Sequence, residues 1–337
     1  MSQSPLVFTP LEASNAAEKY VQYRQENAGM GMPLYMPSLE YKTNSTGGEG
    51  FMPVLPGETI SVLGRPGHAK TGFMFRWARQ RAAHLKQMAA EGSETAAKSV
   101  VIYVVLEQKV EELRLFHMAA ENGISMSDIA SGSLTDWKPV TTGLRKLHTD
   151  PLWFIGRSME RRKHKTQLNE ENIYTALSEV EEWQDDHQTQ VIDSVFIDYL
   201  QKFRPKGNYV EYFGALMNTI TEWSQDFMSR TVVGVQAKRE VDKREAQIPL
   251  MDDGQWSSTI EQFSDGVLSL VRPCLYPNKQ FDGVEVVGNK QLLVSCLKRK
   301  LGPANFNGWV NFEPQYNRFS EVEINNYNFR VAKGEDE

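Results

Sequence analysis

The sequence predicts an α/β fold: a mostly parallel central sheet flanked by helices, followed by a C-terminal antiparallel extension. Between Glu58 and Asp265, short apolar runs rich in β-branched residues alternate with longer segments of helical periodicity. Continuously apolar strands separated by helices are typical of a parallel sheet covered on both faces. After Asp265 only strand and turn patterns remain, which places the antiparallel extension in the last quarter of the chain.

The individual elements follow from the same pattern. Strands are predicted over residues 59–63, 100–106, 152–155, 194–197, 231–235, 267–271 and 292–297. Long helices are predicted over residues 70–91, 108–122, 170–187 and 210–229. A further helix is expected to begin at Thr9-Pro10-Leu11-Glu12 and to run to about Asn27, because threonine as N-cap, then proline, then glutamate is a helix-start signal.

We expect three regions along the chain. Residues 1–50 are predicted to form an arm helix and a Gly/Ser/Met-rich connector, residues 51–332 the main domain, and residues 333–337 a disordered acidic tail. With 337 residues, 40% of them hydrophobic and 24% charged, the composition is that of an ordinary globular protein.

Composition also restricts the setting and the partners. No apolar run approaches the roughly 18 residues of a membrane helix, and the N-terminus has no basic start or apolar core typical of a signal peptide. We therefore expect a cytoplasmic protein without a membrane partner, whose two cysteines, Cys274 and Cys296, are reduced. A net charge of −6 argues against a protein whose surface is covered by nucleic acid. It permits a nucleic-acid strand bound in a local groove, because the local field matters more than the total charge.

The segment from Gly64 to Thr71 reads G-R-P-G-H-A-K-T, which fits the phosphate-loop pattern G-x-x-x-x-G-K-[ST] except at Ala69. It lies between a predicted strand and a predicted helix, where backbone N–H groups can converge on phosphates. Lys70 would reach the terminal phosphates and Thr71 would bind Mg²⁺. The Ala69 methyl group obstructs only if the backbone needs a positive φ or a very close approach.

The pattern thus leaves a working, a weakened or a coincidental nucleotide site, and Gly67 and Gly72 are expected to give the loop freedom. The predicted nucleotide-binding residues of this loop are Gly64, Arg65, Pro66, Gly67, His68, Ala69, Lys70, Thr71 and Gly72.

Two carboxylates follow apolar strands. Glu107 could orient an attacking water, since strand ends in a parallel sheet border the phosphates; alternatively, it caps the following helix. Asp198 ends "SVFID", which is typical of a Walker B carboxylate that holds Mg²⁺ through water.

Gln236 ends another strand and is either a contact to the γ-phosphate or a polar turn residue. The loops after Asp198 and Gln236 carry basic side chains suited to the backbone of a nucleic-acid strand. The alternative is solvated charge, since Glu240, Asp242 and Glu245 partly neutralise the second loop. The predicted nucleic-acid contacts are Arg204, Lys206, Arg239, Lys243 and Arg244.

Taken in order, six segments resemble the ATPase domain of the DnaB-like replicative DNA helicases, a RecA-fold family, over roughly residues 30–323. They are LPGETISVLGRPGHAKTGF, VIYVVLEQKVEEL, VFIDYLQ, VVGVQAKREVDKR, STIEQFSDGVLSLVR and CLKRKLGPANFNGWVNFEPQYNRF. The fifth and sixth are the most diagnostic, because generic phosphate-loop proteins lack them. The resemblance implies a RecA-like P-loop ATPase.

The resemblance also implies roles for individual residues. Gly64, Lys70 and Thr71 would bind ATP and Mg²⁺, and Glu107 would activate water. Asp198 would be the Walker B acid and Gln236 the γ-phosphate sensor. The two basic loops would face a central channel for single-stranded DNA, and the helix of residues 10–27 resembles the linker helix that docks on a neighbouring subunit.

Three departures from the family pattern accompany the resemblance. Ala69 replaces a glycine, and little more than one helix precedes the predicted ATPase domain, where the family has a large domain that typically contacts primase. The inter-subunit finger K-x-R-x-G-P reads Lys298-Arg299-Lys300-Leu301-Gly302-Pro303 here, so Lys300 takes the place of the finger arginine. Alternation along a strand predicts that Lys298 and Lys300 share a catalytic face while Arg299 points away.

The expected function is an ATP-dependent DNA helicase or translocase that acts on single-stranded DNA as a homo-oligomeric ring, a hexamer, in the cytoplasm of a bacterium or as a phage product. A replication or defence protein is a candidate partner. The alternative is a helicase-derived loader, adaptor or scaffold with slow or no hydrolysis. A small-molecule kinase would explain neither the Gln236 strand nor the antiparallel segment.

Overall fold

The fold is described from a computed structural model of the chain. The described residues are 9–26, 31–44, 47–161, 167–185, 188–203, 208–244, 247–254, 257–277, 280–281, 284–286, 288–300, 302–322 and 329–331. The predicted tail, residues 333–337, lies outside them.

The helices and strands in these residues are numbered in chain order. The helices are α1 (Pro10–Glu26), α2 (Lys70–Ala90), α3 (Glu94–Lys98), α4 (Val110–Asn122), α5 (Met126–Ser131), α6 (Lys138–Lys146), α7 (Glu170–Glu181), α8 (Tyr209–Asp226) and α9 (Ser257–Phe263). The strands are β1 (Lys42–Asn44), β2 (Gly47–Glu49), β3 (Thr59–Gly64), β4 (Ser99–Lys109), β5 (Leu152–Arg157), β6 (Gln184–Asp185), β7 (Gln188–Thr189), β8 (Val191–Asp198), β9 (Arg230–Gln236), β10 (Gly266–Val271), β11 (Gln280–Phe281), β12 (Val284–Val286), β13 (Gln291–Arg299), β14 (Phe306–Glu313), β15 (Arg318–Glu321) and β16 (Phe329–Val331).

The main sheet joins nine of these strands in the order β15-β14-β13-β10-β3-β9-β8-β4-β5. The six strands from β10 to β5 are parallel, whereas β13, β14 and β15 are added antiparallel at one edge. All seven predicted strands belong to this sheet. The expected parallel sheet with an antiparallel C-terminal extension is therefore confirmed.

The two faces of the sheet bury alternate residues of the same strands. On β4, Val101 and Tyr103 pack in the core that contains helix α2, whereas Ile102 and Val104 pack in the core that contains helices α7 and α8. Successive side chains of a strand point to opposite faces, so a strand covered by helices on both sides must be apolar throughout. This explains the unbroken apolar run of this strand.

The helix boundaries differ from the prediction at several ends. The predicted helix 108–122 begins only at Val110, because strand β4 continues to Lys109. The predicted helix 170–187 ends at Glu181, since the polar sequence after Trp183 offers no apolar side chain to pack, and β6 and β7 pair there instead. The four helices α3, α5, α6 and α9 were not predicted, because each spans at most nine residues, too few for a clear helical period.

The predicted connector contributes to the main core. Met32, Leu34, Met36 and Leu39 are buried in the same cluster as helix α2, so packing continues across the predicted boundary at residue 50. In contrast, the side chains of residues 10–22 on helix α1 are exposed. None of the helices in the described part of the chain is long and apolar enough to span a membrane.

A buried charge cluster joins helix α2 to strands β8 and β9. Asp193 accepts hydrogen bonds from Arg81 Nε at 2.8 Å and Nη2 at 2.6 Å, and from Arg230 Nη1 at 2.8 Å. Side-chain exposure is 1% for Arg81, 5% for Asp193 and 4% for Arg230. Burial acts to raise the pKa of Asp193, but the hydrogen bond from Arg81 and the charges of both arginines outweigh it, and the pKa is lowered.

We predict that Asp193→Asn lowers the free energy of unfolding by about 3–5 kcal/mol, because it leaves two buried guanidinium groups without a counter-charge. Chemical denaturation measures the change. The matched control is Glu313→Gln, which breaks the surface pair between Lys290 and Glu313 and should cost less than about 1 kcal/mol. Equal effects of the two substitutions would contradict a stabilising role for the buried cluster.

Candidate nucleotide-binding site

The loop between β3 and α2 turns a buried strand directly into a helix N-terminus. Strand β3 ends at Gly64 and helix α2 begins at Lys70. Ala69 occupies the N-cap position, where its methyl group cannot accept a hydrogen bond, and the first turn holds no acidic residue. The free N–H groups of that turn therefore remain available to an anion. This is the local geometry that a phosphate-binding loop requires.

Ala69 adopts a left-handed backbone conformation, with φ 62° and ψ 19°. A side chain in this region costs about 1–2 kcal/mol, whereas Gly67, at φ 84°, carries no such cost. The backbone at Ala69 therefore does need a positive φ, and the methyl group strains it. The loop keeps the left-handed turn nevertheless, with the methyl group packed against the main core.

Gly72 has a different reason to be glycine from the one expected. Its φ lies outside the left-handed region, and a Cβ atom there would lie 2.5 Å from Asn317 Oδ1 and 3.4 Å from Phe319 Cζ. The expectation that Gly72 supplies backbone freedom is therefore wrong. It allows the C-terminal strands to approach helix α2 closely.

Lys70 is buried at the start of helix α2. Its Nζ atom donates to the carbonyl oxygen of Val235 at 3.4 Å and lies 4.4 Å from the centre of the Tyr199 ring. Burial lowers the pKa of Lys70 to about 8, against the charges of Asp198 and Glu107, which raise it. A desolvated ammonium group is ready to bind an anion, since it has lost most of its water already.

Asp198 ends strand β8 close to Lys70. Burial raises its pKa, against the charge of Lys70 and hydrogen bonding from the hydroxyl groups of Thr71 and Tyr103. Oδ2 accepts from Tyr103 at 3.2 Å, whereas the buried Oδ1 accepts no hydrogen bond of good geometry from any described residue. A carboxylate oxygen in need of a partner beside a threonine hydroxyl suits Mg²⁺, which prefers oxygen ligands and bound water.

Glu107 lies at the exposed tip of strand β4, three residues before helix α4 begins. It is therefore not in the first turn of that helix, whose acidic residues are Glu111 and Glu112, so the capping alternative is excluded. Its carboxylate pairs with Lys202 Nζ at 2.9 Å and contributes to the electrostatic environment of both Lys70 and Asp198.

Gln236 ends strand β9 directly beside the start of the loop. It pairs in register with Gly64, and its backbone N–H donates to Gln201 Oε1 at 3.1 Å. The adjacent Ala237 N–H donates to the Gly64 carbonyl oxygen at 3.1 Å. The structure thus gathers Lys70, Thr71, Asp198, Glu107 and Gln236 at the carboxyl edge of the parallel strands.

The chain matches the DnaB-like helicase C-terminal domain over residues 49–321, which is most of its length. It belongs to this family. The resemblance inferred from the six sequence segments is confirmed, and the chain is called the DnaB-like domain below.

Two solved structures share the fold of the DnaB-like domain. One, of a DnaB-like replicative helicase described with its interactions with primase, has a TM-score of 0.70 at 17% identity and covers 92% of this chain and 67% of that chain. The other, the structure of an ATPase domain, also has a TM-score of 0.70 at 17% identity and covers 91% of this chain and 98% of that chain. Both support the RecA-like fold. No curated protein sequence matches the chain.

The side chains of Arg65 and His68 are bound to residues outside the loop. Arg65 binds Asp242, and His68 Nδ1 accepts from the Arg272 N–H at 3.1 Å. Burial lowers the pKa of His68 to about 4, so this imidazole is neutral at pH 7. The His68 N–H donates to the Arg65 carbonyl oxygen at 3.2 Å, and Pro66 has no N–H to offer.

The predicted nucleic-acid residues are only partly described. Arg204 and Lys206 lie outside the described residues. Arg239 and Lys243 are exposed, and neither forms an ion pair within the described part of the DnaB-like domain. Arg244 pairs with Asp253 instead. The expectation that Asp242 neutralises its own loop is wrong, because its partner is Arg65 in the phosphate loop.

The finger residues lie at the end of strand β13. Arg299 is buried, and its Nη2 donates to Glu58 Oε2 at 2.6 Å and to the Pro53 carbonyl oxygen at 2.9 Å. Lys300 is 68% exposed and pairs with Asp265 at 3.2 Å, and Lys298 Nζ donates to the Glu261 carbonyl oxygen. The two lysines and Arg299 therefore point in opposite directions, as strand alternation predicts.

Four side chains around the site make contacts that the sequence did not predict: Tyr103, Tyr199, Lys202 and Tyr276. Tyr103 was detectable, because a phenol inside an aliphatic strand needs a buried hydrogen-bond partner. Tyr199 and Lys202 lie one and four residues after Asp198, yet nothing in the local sequence predicts that they contact Lys70 and Glu107. Tyr276 donates to Asp242 Oδ1 at 2.8 Å, a contact that only the fold brings about.

We predict that Ala69→Gly raises the free energy of unfolding by about 1 kcal/mol, because glycine removes the cost of a side chain in the left-handed region. Differential scanning calorimetry measures the change. The matched control is Ala83→Gly, at an exposed position inside helix α2, which should lose about 1 kcal/mol. A loss of stability in both variants would contradict the strain assigned to Ala69.

Proposed function

We propose that the DnaB-like domain is an ATP-dependent DNA helicase or translocase that acts on single-stranded DNA as a hexameric ring of identical subunits. The observation that carries the proposal is the meeting of Lys70, Asp198 and Glu107 beside an uncapped helix N-terminus. On this proposal it works in the cytoplasm of a bacterium or phage-infected cell, with a replication or defence protein as partner.

The loop and Lys70 would hold the triphosphate. Backbone N–H groups in the first turn of helix α2 would bind the anion, and the ammonium group of Lys70 would bind the β- and γ-phosphates. Thr71 and Asp198 would hold Mg²⁺, the Asp198 Oδ1 atom through water. When bound, the ion neutralises charge on the phosphate oxygens.

Glu107 would act as the general base. Its carboxylate accepts a proton from a water molecule whose oxygen attacks the γ-phosphorus, while the bond to the β-phosphate oxygen breaks and ADP leaves. Lys202 holds this carboxylate by its ion pair, and Lys70 stabilises charge on the departing phosphates. Gln236, at the end of strand β9, would contact the γ-phosphate and so change the conformation of the turn that follows it.

The finger residues support an assembly of several subunits. Strand β13 runs antiparallel to β10, and Arg299 pairs in register with Gly266 at the start of β10. Lys300 therefore lies at the amino edge of the parallel strands, whereas the phosphate loop lies at their carboxyl edge. Strand β3 has six residues, a span of roughly 20 Å. Lys300 can accordingly serve only the nucleotide of another subunit.

The strongest alternative is an ATP-binding loader, adaptor or scaffold that hydrolyses ATP slowly or not at all. Two observations favour it: Ala69 strains the phosphate loop, and the finger position holds a lysine. Lysine is a point charge without the planar fork with which arginine binds phosphate oxygens. The rate of hydrolysis separates the two functions.

We predict that the wild-type domain hydrolyses Mg-ATP, that single-stranded DNA stimulates the reaction, and that native mass spectrometry finds a hexamer. Glu107→Gln should bind ATP with near-normal affinity yet turn over at least about 100-fold more slowly, the scale of a lost general base. A coupled phosphate-release assay and nucleotide titration measure both.

The control for this substitution is Glu112→Gln. Glu112 lies in the first turn of helix α4. The Glu112→Gln variant should therefore lose roughly 0.3–1 kcal/mol of stability and keep the specific activity of the wild type. If Glu107→Gln behaves in the same way as this control, Glu107 is not the base. Normal ATP binding with no hydrolysis by the wild type would favour the scaffold.

We predict that Lys300→Arg raises the ATPase rate of the assembled ring and that Lys300→Ala lowers it, because an arginine finger contributes about 10³–10⁵-fold in related phosphoryl transfers. Steady-state rates above and below the concentration for assembly measure the effect. Arg299→Ala should mainly destabilise the fold, since it breaks the pair with Glu58. If Arg299→Ala abolishes hydrolysis in a folded ring while Lys300→Ala leaves it intact, the assigned finger is wrong.

A further inference from the structure

The phosphate loop is attached directly to the turn that carries three of the predicted DNA contacts, Arg239, Lys243 and Arg244. This turn, residues 237–244, is called the β9 turn below. At its start, the Ala237 N–H donates to the Gly64 carbonyl oxygen at 3.1 Å, and Arg65 Nη1 donates to the Ala237 carbonyl oxygen at 3.1 Å. The first two residues of the loop thus hold the first residue of the turn.

A second attachment joins the loop to the far side of the β9 turn. Arg65 Nε lies 3.2 Å from Asp242 Oδ1 and 3.1 Å from Oδ2, and Nη2 donates to Oδ2 at 2.9 Å. The exposure of the two side chains is 13% and 37%. Because the guanidinium group is planar and uses two nitrogens, it fixes the orientation of the carboxylate as well as its distance.

The carboxylate of Asp242 also receives a contact from a third element. Tyr276, which follows strand β10, donates to Asp242 Oδ1 at 2.8 Å, and its ring centre lies 5.2 Å from that of His68 in the phosphate loop. Both oxygens of Asp242 are therefore occupied by groups that contact or belong to the loop. The carboxylate of Asp242 is thus held by two elements, the phosphate loop and the segment that follows strand β10.

Two basic residues of the β9 turn, Arg239 and Lys243, lie close to these attachments in the sequence. Arg239 lies between Ala237 and Asp242, and Lys243 follows Asp242 at once. Both are exposed, and neither is neutralised by an ion pair with a described residue. The backbone of both residues belongs to a short 3₁₀ turn, Arg239–Lys243. Arg65 holds this segment at Ala237 and at Asp242, so the backbone between these two contacts has little freedom.

We propose that the Arg65–Asp242 ion pair, supported by Tyr276, couples nucleotide binding at the phosphate loop to the positions of Arg239 and Lys243. Through this coupling, nucleotide sets the affinity for single-stranded DNA. Arg65, Asp242 and Tyr276 are positioning residues in this scheme, which rests on the proposed function. The backbone of Arg65 belongs to the loop that binds the phosphates. A shift of that backbone must either move Asp242 or break the ion pair.

Thermodynamic linkage makes the proposal measurable. If nucleotide changes the DNA affinity by some factor, DNA changes the nucleotide affinity by the same factor. The test is the dissociation constant of a fluorescein-labelled oligo-dT, measured with and without Mg-AMP-PNP in the full chain. For the wild type we expect the two constants to differ by at least about fivefold, the low end of typical coupling.

Asp242→Asn removes the charge that Arg65 binds but keeps the shape of the side chain. We expect the ratio of the two DNA dissociation constants to fall to about one, while nucleotide affinity without DNA changes by less than about twofold. Arg65→Lys keeps the charge without the planar fork and should lower the ratio as well. Glu313→Gln, which breaks an ion pair at the end of β14, four strands away from β9 in the main sheet, is the matched control and should keep the wild-type ratio.

Several results would overturn the inference. Thermal unfolding shows which variants are folded, and Arg65→Lys and Tyr276→Phe decide the matter if Asp242→Asn does not fold. Folded variants that keep the wild-type ratio, or that weaken DNA binding equally with and without nucleotide, mean that the ion pair only shapes the turn. A wild type that binds AMP-PNP and DNA independently overturns this inference alone, whereas one that binds no nucleotide overturns the proposed function and the inference with it.

Discussion

Parallel pairing of strands β3, β9, β8 and β4 is the constraint on which the candidate site depends. In a parallel sheet all strands end at the same edge, so residues far apart in sequence meet where the strands stop. Gly64, Glu107, Asp198 and Gln236 each lie at or just beyond such an end. Helix α2 then starts at this edge and brings its free N–H groups and Lys70 to the same place.

The polar groups at this edge are linked to one another. Lys70 is buried next to Asp198 and the ring of Tyr199, and the charges of Lys70 and Asp198 partly offset the cost of burying both groups. Glu107 is more exposed and is held by Lys202 instead. At the opposite edge of the sheet, Arg299 is bound to Glu58, which leaves Lys300 on the surface. The fold therefore places the candidate nucleotide site and the candidate finger at opposite edges of the sheet within one subunit.

The two departures from the family pattern have different physical meanings. Ala69 occupies a backbone conformation that glycine adopts without cost, so its effect is on the energy of the loop and not on its shape. Lys300 keeps the positive charge of the finger but lacks the planar guanidinium group. On the proposed function, both changes would weaken a component without removing it, which fits a slow enzyme as well as a binding protein that has lost most of its hydrolysis.

The sequence by itself determined the alternation of strands and helices, the phosphate loop, and the acidic and amide residues at strand ends. These follow from local periodicity and from short motifs, which neighbouring residues define. Only the tertiary structure decided the left-handed conformation of Ala69, the packing role of Gly72 and the partners of the buried charges. Arg81 and Asp193 are 112 residues apart, and Arg65 and Asp242 are 177 apart. No local pattern encodes such pairs, because they form only when the order of strands in the sheet has brought their elements together.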